Sequence, residues 1–442
     1  MRANQSAGLS REQLEAYWMP FTGNRQFKND PRMIVASEGN YYIDAEGRKI
    51  FDSLSGLWTC GIGHNHPKIS EAIAEQARTL DYAPAFQFGH PKAFELANRV
   101  KELTPEGLDY VFFTNSGSES AETSLKMARA YWRQKGQPTK TKLIGRAKGY
   151  HGVNFGGISV GGIGANRKLY GQAVDADHLS HTLFKENAYT QGLPEYGTDH
   201  LIAEFEELIA LHDASNIAAL IIEPVAGSAG VIVPPKDYLK RVRELCDKHN
   251  ILLIFDEVIT AFGRMGSMTG AEEFGVTPDI LNMAKQITNG VIPMGAVITS
   301  AEIYDTFMAA GGPEYMVELP HGYTYSGHPI ACAAGLASLE ILEQEQLPQR
   351  VKELSGYFGE AVHSLKGSEN ILDIRNYGFA AGITLASYPG EPARRPYEVA
   401  MKAWEKGVYL RFGGDCVAMG LPFTTEKHEI DMLVDVLREC IA

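Results

Sequence analysis

The run Ile251-Leu252-Leu253-Ile254-Phe255 is apolar at every position and stops at Asp256-Glu257. A strand with one wet face alternates apolar and polar side chains. One without a polar residue must be covered on both faces, which places it inside a parallel sheet sandwiched by helices. The fold class that follows is α/β. Open sheets of this kind bind ligands beyond the carboxyl ends of their strands, so Asp256 is predicted to face a site. A second, largely apolar run, Ile280-Leu281-Asn282-Met283-Ala284, ends on Lys285.

The two residues complement each other chemically. A carboxylate at a strand end can hold a proton on a pyridine nitrogen, which keeps the ring electron-withdrawing. A lysine in apolar surroundings has its ammonium form disfavoured, so more of it is the neutral amine that attacks aldehydes. Together Asp256 and Lys285 point to pyridoxal phosphate. Either alone is commonplace: an acidic strand end, or a lysine whose stem crosses an apolar surface.

Between about residues 111 and 296 short apolar runs alternate with longer amphipathic ones, as in βαβ units. Val111-Phe112-Phe113-Thr114, Lys142-Leu143-Ile144 and Ala218 to Glu223 are predicted strands, while 120–134 and 238–249 are predicted helices. A β-meander is expected from Ile34 to Phe51, turning at Asp44-Ala45-Glu46-Gly47, and one long helix from His328 to about Leu365, followed by an α/β tail. The pattern divides the chain into a large, doubly wound, mostly parallel sheet domain (61–326) and a small α+β domain built from both chain ends (1–60 and 327–442).

Lys plus Arg total 41 against 54 Asp plus Glu, a formal charge of −13, which argues against nucleic acid and anionic membrane as partners. Cys60, Cys246, Cys332, Cys416 and Cys440 are scattered without C-x-x-C spacing, so no disulfide framework or zinc site is expected. Residues 1–6 lead into a polar stretch without an apolar signal core, and no window approaches about 18 consecutive apolar residues. A cytoplasmic protein is the default expectation.

Thr114-Asn115-Ser116-Gly117-Ser118-Glu119 falls between a predicted strand and helix, where N–H groups and the helix's positive end favour a phosphate. Gly117 permits close approach, and Ser116 and Ser118 add hydroxyls; an ordinary N-cap is the simpler reading of the segment by itself. In Tyr150-His151-Gly152 an aromatic ring is placed to stack on a planar cofactor, with Val258 against its other face, although both also suit core filling. The glycines from Gly152 to Gly164 lack the strand-turn-helix setting of a dinucleotide site. His64 and His66, before Pro67, read as a turn, and no metal is assigned.

In combination Leu54-Ser55-Gly56-Leu57-Trp58, Asn115-Ser116-Gly117-Ser118-Glu119, Gly149-Tyr150-His151-Gly152, Phe255-Asp256-Glu257-Val258, Ala284-Lys285-Gln286 and His321-Gly322-Tyr323-Thr324-Tyr325-Ser326 resemble the class III, or omega, aminotransferases of the fold type I pyridoxal phosphate enzymes. The resemblance runs from Trp18-Met19-Pro20-Phe21 to the end and is nearest to the omega-amino acid (beta-alanine):pyruvate subgroup. It implies that Lys285 bonds to the cofactor and shuttles a proton, and that Asp256 pairs with the ring nitrogen. Ser116, Gly117, Ser118 and Glu223 then belong to the cofactor-binding set, with Tyr150 and Val258 at the ring. Thr324 reaches the phosphate of a neighbouring subunit, so a homodimer with shared active sites is implied, or a homotetramer made of two. The substrate pocket is drawn from Phe21, Trp58, Tyr150, the partner subunit's Phe86, and Arg411, which clamps a carboxylate or swings away.

Two stretches depart from the family pattern. Ala226-Gly227-Ser228-Ala229-Gly230 carries a serine where relatives acting on ornithine or gamma-aminobutyrate have a glutamate that masks the arginine, which implies pyruvate rather than 2-oxoglutarate as acceptor. Gly414-Asp415-Cys416-Val417-Ala418 has alanine where the beta-alanine enzyme has glutamine. The implied reaction is ping-pong transamination of an omega-amino acid or primary amine with pyruvate. A lyase or aminomutase on the same scaffold, of the dialkylglycine decarboxylase or glutamate-1-semialdehyde aminomutase type, is the alternative.

Overall fold

A computed structural model describes residues 7–442; the polar opening read over residues 1–6 lies outside them. The expected meander forms as β1 (Ile34–Glu38), β2 (Tyr41–Asp44) and β3 (Lys49–Asp52). Seven strands follow: β4 (Leu108–Thr114), β5 (Lys142–Arg146), β6 (Ala176–Leu179), β7 (Ile217–Ile222), β8 (Leu252–Asp256), β9 (Ile280–Ala284) and β10 (Gly295–Ser300). They make one sheet in the order β4-β10-β9-β8-β7-β5-β6. Every residue of β7, β8 and β9 is buried, as their unbroken apolar runs require.

From β9 to β6 all neighbours are parallel, whereas β10 runs antiparallel to both β9 and β4. The two reversals cancel, so β4 points the same way as the central strands and delivers Asn115 to the same edge as Asp256. The chain steps outward from β5 to β6, returns to β7 and then proceeds in the opposite direction. The crevice between β5 and β7 is therefore the topological switch point, where ligands bind in open α/β sheets.

Strand ends shift by up to three residues, and two helix boundaries differ from expectation. The helix Gly117–Gln134 begins before Ser120, because Ser116 acts as its N-cap and accepts from Glu119 N at 3.2 Å. The single helix expected over 328–365 is two, Pro329–Gln344 and Leu347–His363. Gln346 between them has φ +50°, which ends a right-handed helix, and Pro348 lacks the N–H that a helix interior needs.

Five strands complete the chain: β11 (Ile371–Tyr377), β12 (Ala380–Leu385), β13 (Val408–Tyr409), β14 (Arg411–Gly413) and β15 (Cys416–Gly420). β13 pairs in parallel with β3, joining the two ends of the chain. The others form the sheet β11-β12-β15-β14, antiparallel throughout. Its registers align one row: Arg375 opposite Gly382, Gly382 opposite Ala418, and Ala418 opposite Arg411. Directly opposed residues share a face, so the two arginines flank a floor of two small residues.

Candidate active site

β8 carries Asp256 to the carboxyl edge, where the residue is 4% exposed. His151 Nδ1 donates to Asp256 Oδ2 at 2.8 Å, and Val258 N donates to Oδ1 at 3.2 Å. In the sequence His151 stands out only as a ring nitrogen beside the aromatic of a strand-end loop. Glu257, next in sequence, faces the other way and accepts from Ala271 N at 2.7 Å and from Gly270 N.

Lys285 follows β9 with φ +53°, a left-handed conformation uncommon for a side chain of this size. Its neighbours hold it there. Gly61 N donates to Gln286 Oε1 at 2.6 Å, Ile62 N donates to Asn289 Oδ1 at 3.0 Å, and Asn289 Nδ2 donates to Gly63 O at 2.8 Å. Burial pushes the Lys285 ammonium down to about 8, against the carboxylates of Asp256 and Glu223 and with help from the Arg411 guanidinium. Arg411 thus acts electrostatically on the same centre.

Glu223, one residue beyond β7, accepts from Tyr150 N at 2.9 Å and Gly227 N at 3.2 Å, tying two loops together. Burial raises its carboxyl above the usual range; the nearby His151 opposes the shift and Asp256 adds to it. The Tyr150 phenol is raised chiefly by burial, with Arg411 opposing. Ser118 Oγ accepts from Val153 N at 3.2 Å. A Cβ on Gly117 would stand 2.7 Å from Val258 Cγ1, and one on Gly152 2.4 Å from Ser118 Oγ, so both approaches require glycine.

Part of this set lines one cavity of about 310 Å³, with His151 behind its wall and Arg411 outside the lining. It brings together Ser116, Gly117, Ser118, Tyr150, Glu223, Asp256, Val258 and Lys285 from the predicted set, and adds Leu57, Asn115, Ser228 and Thr288. Trp58 is 3% exposed with the backbone at Gly420 against its indole, and its neighbour Leu57 lines the cavity. Ser55, Gly56 and Trp58 all have positive φ, so the chain turns irregularly here. Phe21 and Phe86 are 75% and 57% exposed and do not line their own chain's cavity. Phe86 packs at Gly322, and Tyr82 donates to Thr324 O at 3.0 Å, so Phe86 and Thr324 belong to adjoining loops apart from the cavity.

His64 and His66 are engaged elsewhere, with Asp52 at 2.8 Å and with Glu345 at 3.4 Å respectively. Among the described residues no group of three His, Cys, Asp or Glu is placed to hold a metal ion. No helix among them is long and apolar enough to cross a membrane.

The family model for aminotransferase class-III matches residues 22–441. The chain is a class-III aminotransferase. This aminotransferase is 59% identical to the beta-alanine–pyruvate aminotransferase of Pseudomonas aeruginosa, over 97% of this chain and 96% of that one. It is 58% identical to the omega-amino acid–pyruvate aminotransferase of Pseudomonas putida, over 98% and 96% respectively. Among solved structures, an amine transaminase from an uncultivated Pseudomonas species in its PLP-bound form superposes with a TM-score of 0.89 at 37% identity, covering 96% of this chain and 98% of the other. The architecture is accordingly that of the fold type I transaminases.

The donor set fits pyridoxal phosphate on its own terms. A helix N-terminus with two glycine approaches suits a phosphate, a buried carboxylate suits a ring nitrogen, and an amine with a depressed pKa suits an aldehyde.

Proposed function

We propose that the enzyme transfers the amino group of an omega-amino acid such as beta-alanine, or of a primary amine, to pyruvate by a ping-pong route, with pyridoxal 5′-phosphate as cofactor. The observation that carries this reading is the meeting of Lys285 and Asp256 in a cavity where Ser228, rather than a carboxylate, stands on the loop nearest the small sheet. A serine leaves the Arg411 guanidinium available to a substrate carboxylate. The two Pseudomonas relatives, named for pyruvate, support the same choice of acceptor.

When bound, the cofactor supplies an aldehyde for the amino group and a ring that withdraws electrons from the substrate carbon. Asp256, oriented by His151, holds the proton on the ring nitrogen. The N–H groups of Gly117 and Ser118 at the helix N-terminus, with the Ser116 and Ser118 hydroxyls beside them, would hold the phosphate, and Tyr150 and Val258 would pack against the ring. Glu223 fixes the Tyr150 loop. Lys285 carries the proton to and from the substrate carbon. Leu57 and Tyr150 form the apolar wall, and Arg411 grips a carboxylate bidentately or turns aside for an uncharged amine.

In this reading residues 61–326 form the large domain, and 1–60 with 327–442 the small one, supported by the β3–β13 pairing. A homodimer, or a tetramer of two such dimers, places Phe21, Phe86 and Thr324 at shared sites; the exposed aromatics Phe86, Phe88, Tyr315 and Tyr325 support it. Cytoplasmic residence accords with five free cysteines.

Purified enzyme incubated with beta-alanine and then pyruvate should release alanine in proportion to amine consumed, followed by mass spectrometry. Faster amino transfer to 2-oxoglutarate than to pyruvate would refute the acceptor assignment. Sedimentation velocity tests the assembly, for which a monomer is the refuting result.

A further inference from the structure

The loop holding Ser228 is anchored at both ends by different parts of the molecule. At one end Gly227 N donates to the buried Glu223 carboxylate at 3.2 Å. At the other Gly230 O accepts from Arg375 Nε at 2.8 Å. The turn between them is tight: Gly230 N donates to Gly227 O at 3.1 Å, while Ala226 and Ile232 exchange backbone bonds of 3.0 and 2.9 Å. A displacement at Gly230 therefore passes to Ser228.

Arg375 is itself held rigidly. Its Nη1 donates to Asp373 Oδ2 at 2.7 Å and to Thr384 Oγ1 at 2.8 Å, and its Nη2 to Cys416 Sγ at 3.4 Å. Thr384 and Cys416 are opposed on β12 and β15, so the guanidinium is fixed to the sheet that carries Arg411. In the row Arg375-Gly382-Ala418-Arg411 the loop rests on the floor between the arginines. A Cβ at Gly382 would fall 2.1 Å from Gly230 O, so glycine there is needed for the loop to lie this close.

We infer that Arg375 is a positioning residue: by clamping Gly230 to the four-stranded sheet it sets the separation of Ser228 from Arg411 and hence the site's preference for carboxylate-bearing substrates. The inference rests on the reading of Arg411 as the carboxylate clamp. It gives Arg375, which does not line the cavity, control over one class of ligand. Fixed separation suits a bidentate carboxylate contact, which tolerates little displacement, whereas an uncharged amine makes no such demand.

The test compares Arg375→Met, Arg375→Lys and Gly382→Ala with Arg411→Met in the holoenzyme. Two donors, beta-alanine and 1-phenylethylamine, are used for kinetics, and propionate, which cannot react, for calorimetric binding. Arg375→Met should raise the KM for beta-alanine and the Kd for propionate about tenfold, with kcat/KM for 1-phenylethylamine within about twofold of wild type. Arg375→Lys, which keeps the charge without the fork, should recover part of the loss, and Gly382→Ala should reproduce it from the other side of the contact. A uniform loss for both donors with a lowered Tm, or unchanged propionate affinity, would overturn the positioning role. Discrimination by Arg411→Met with none by the other variants would overturn it alone; no discrimination by Arg411→Met would overturn the clamp reading and this inference with it. Should Arg375→Met fail to fold, Arg375→Lys and Gly382→Ala carry the same comparison.

Discussion

His151 and Asp256 meet out of solvent, Nδ1 to Oδ2 at 2.8 Å, although 105 positions separate them in the chain. The imidazole fixes the rotation of a carboxylate that lines the cavity and places a polarisable N–H behind it. A hydrogen bond to a charged group contributes about 1.5–3 kcal/mol. His151→Ala should therefore lower kcat by roughly 10- to 100-fold while the protein still takes up cofactor. Steady-state kinetics beside the visible spectrum check this.

Lys285→Ala removes both the covalent anchor and the proton carrier. Turnover should fall by at least about 10⁴-fold, since acid–base and nucleophilic contributions are lost together. Borohydride treatment followed by peptide mass spectrometry should find cofactor fixed to Lys285 in wild type and nowhere in the variant. Retained turnover would end the covalent reading.

The depressed Lys285 ammonium sets a pH dependence. Its folded pKa of about 8 lies below the ordinary 10.5, so the neutral, aldehyde-reactive amine is half populated near pH 8. Covalent capture of pyridoxal phosphate by apo-protein should accelerate as pH rises through 8 and level off above 9. Stopped-flow absorbance checks it; a rate still climbing at pH 10 would show an unperturbed lysine.

Gly152 has φ +88° and no room for a Cβ beside Ser118. Gly152→Ala should displace the Ser118 hydroxyl and the first turn of its helix, weakening cofactor affinity by an order of magnitude or more. Equilibrium dialysis against pyridoxal phosphate measures this, and unchanged affinity would place the phosphate elsewhere.

The largely buried His64 supports a turn of the cavity wall. Burial favours its neutral form, but the bonds to Asp52 and Cys60 outweigh it and raise the imidazolium to about 9, above the unfolded 6.5. Its contribution is therefore complete below pH 6.5 and lost as pH rises through 9. Urea denaturation should find His64→Gln less stable than wild type by on the order of 1–3 kcal/mol at pH 6, after allowing for solvent screening, and nearly equal to it at pH 10.

Features encoded in contiguous residues were the ones legible beforehand. The Ile251–Phe255 run, Asp256 at its end and Lys285 after the next strand need only local pattern and strand direction to be interpreted. The antiparallel β10 was not legible, because an apolar strand reads the same in either direction. Nor was the place of Leu57 in the cavity lining, since three positive-φ residues in one turn defeat any periodicity. In Asp256-Glu257 both carboxylates look equivalent in the sequence. Only the fold turns Glu257 inward to the helix Gly270–Phe274, where burial pushes its carboxyl up to about 7. His151 and Arg375 act through partners far along the chain, and such pairings leave no trace in spacing.

The β3–β13 pairing bears on how the molecule is made. Ser53 donates to Tyr409 O across 356 positions, and Phe51 pairs with Val408. At about 5–20 residues per second, synthesis takes roughly 20 to 70 s to bring the second strand off the ribosome after the first. Throughout that interval β3 presents an unpaired edge next to an apolar surface, which invites association with other chains. Newly made protein thus passes through a window of aggregation risk that ends only when roughly its last thirteenth emerges and closes the sheet.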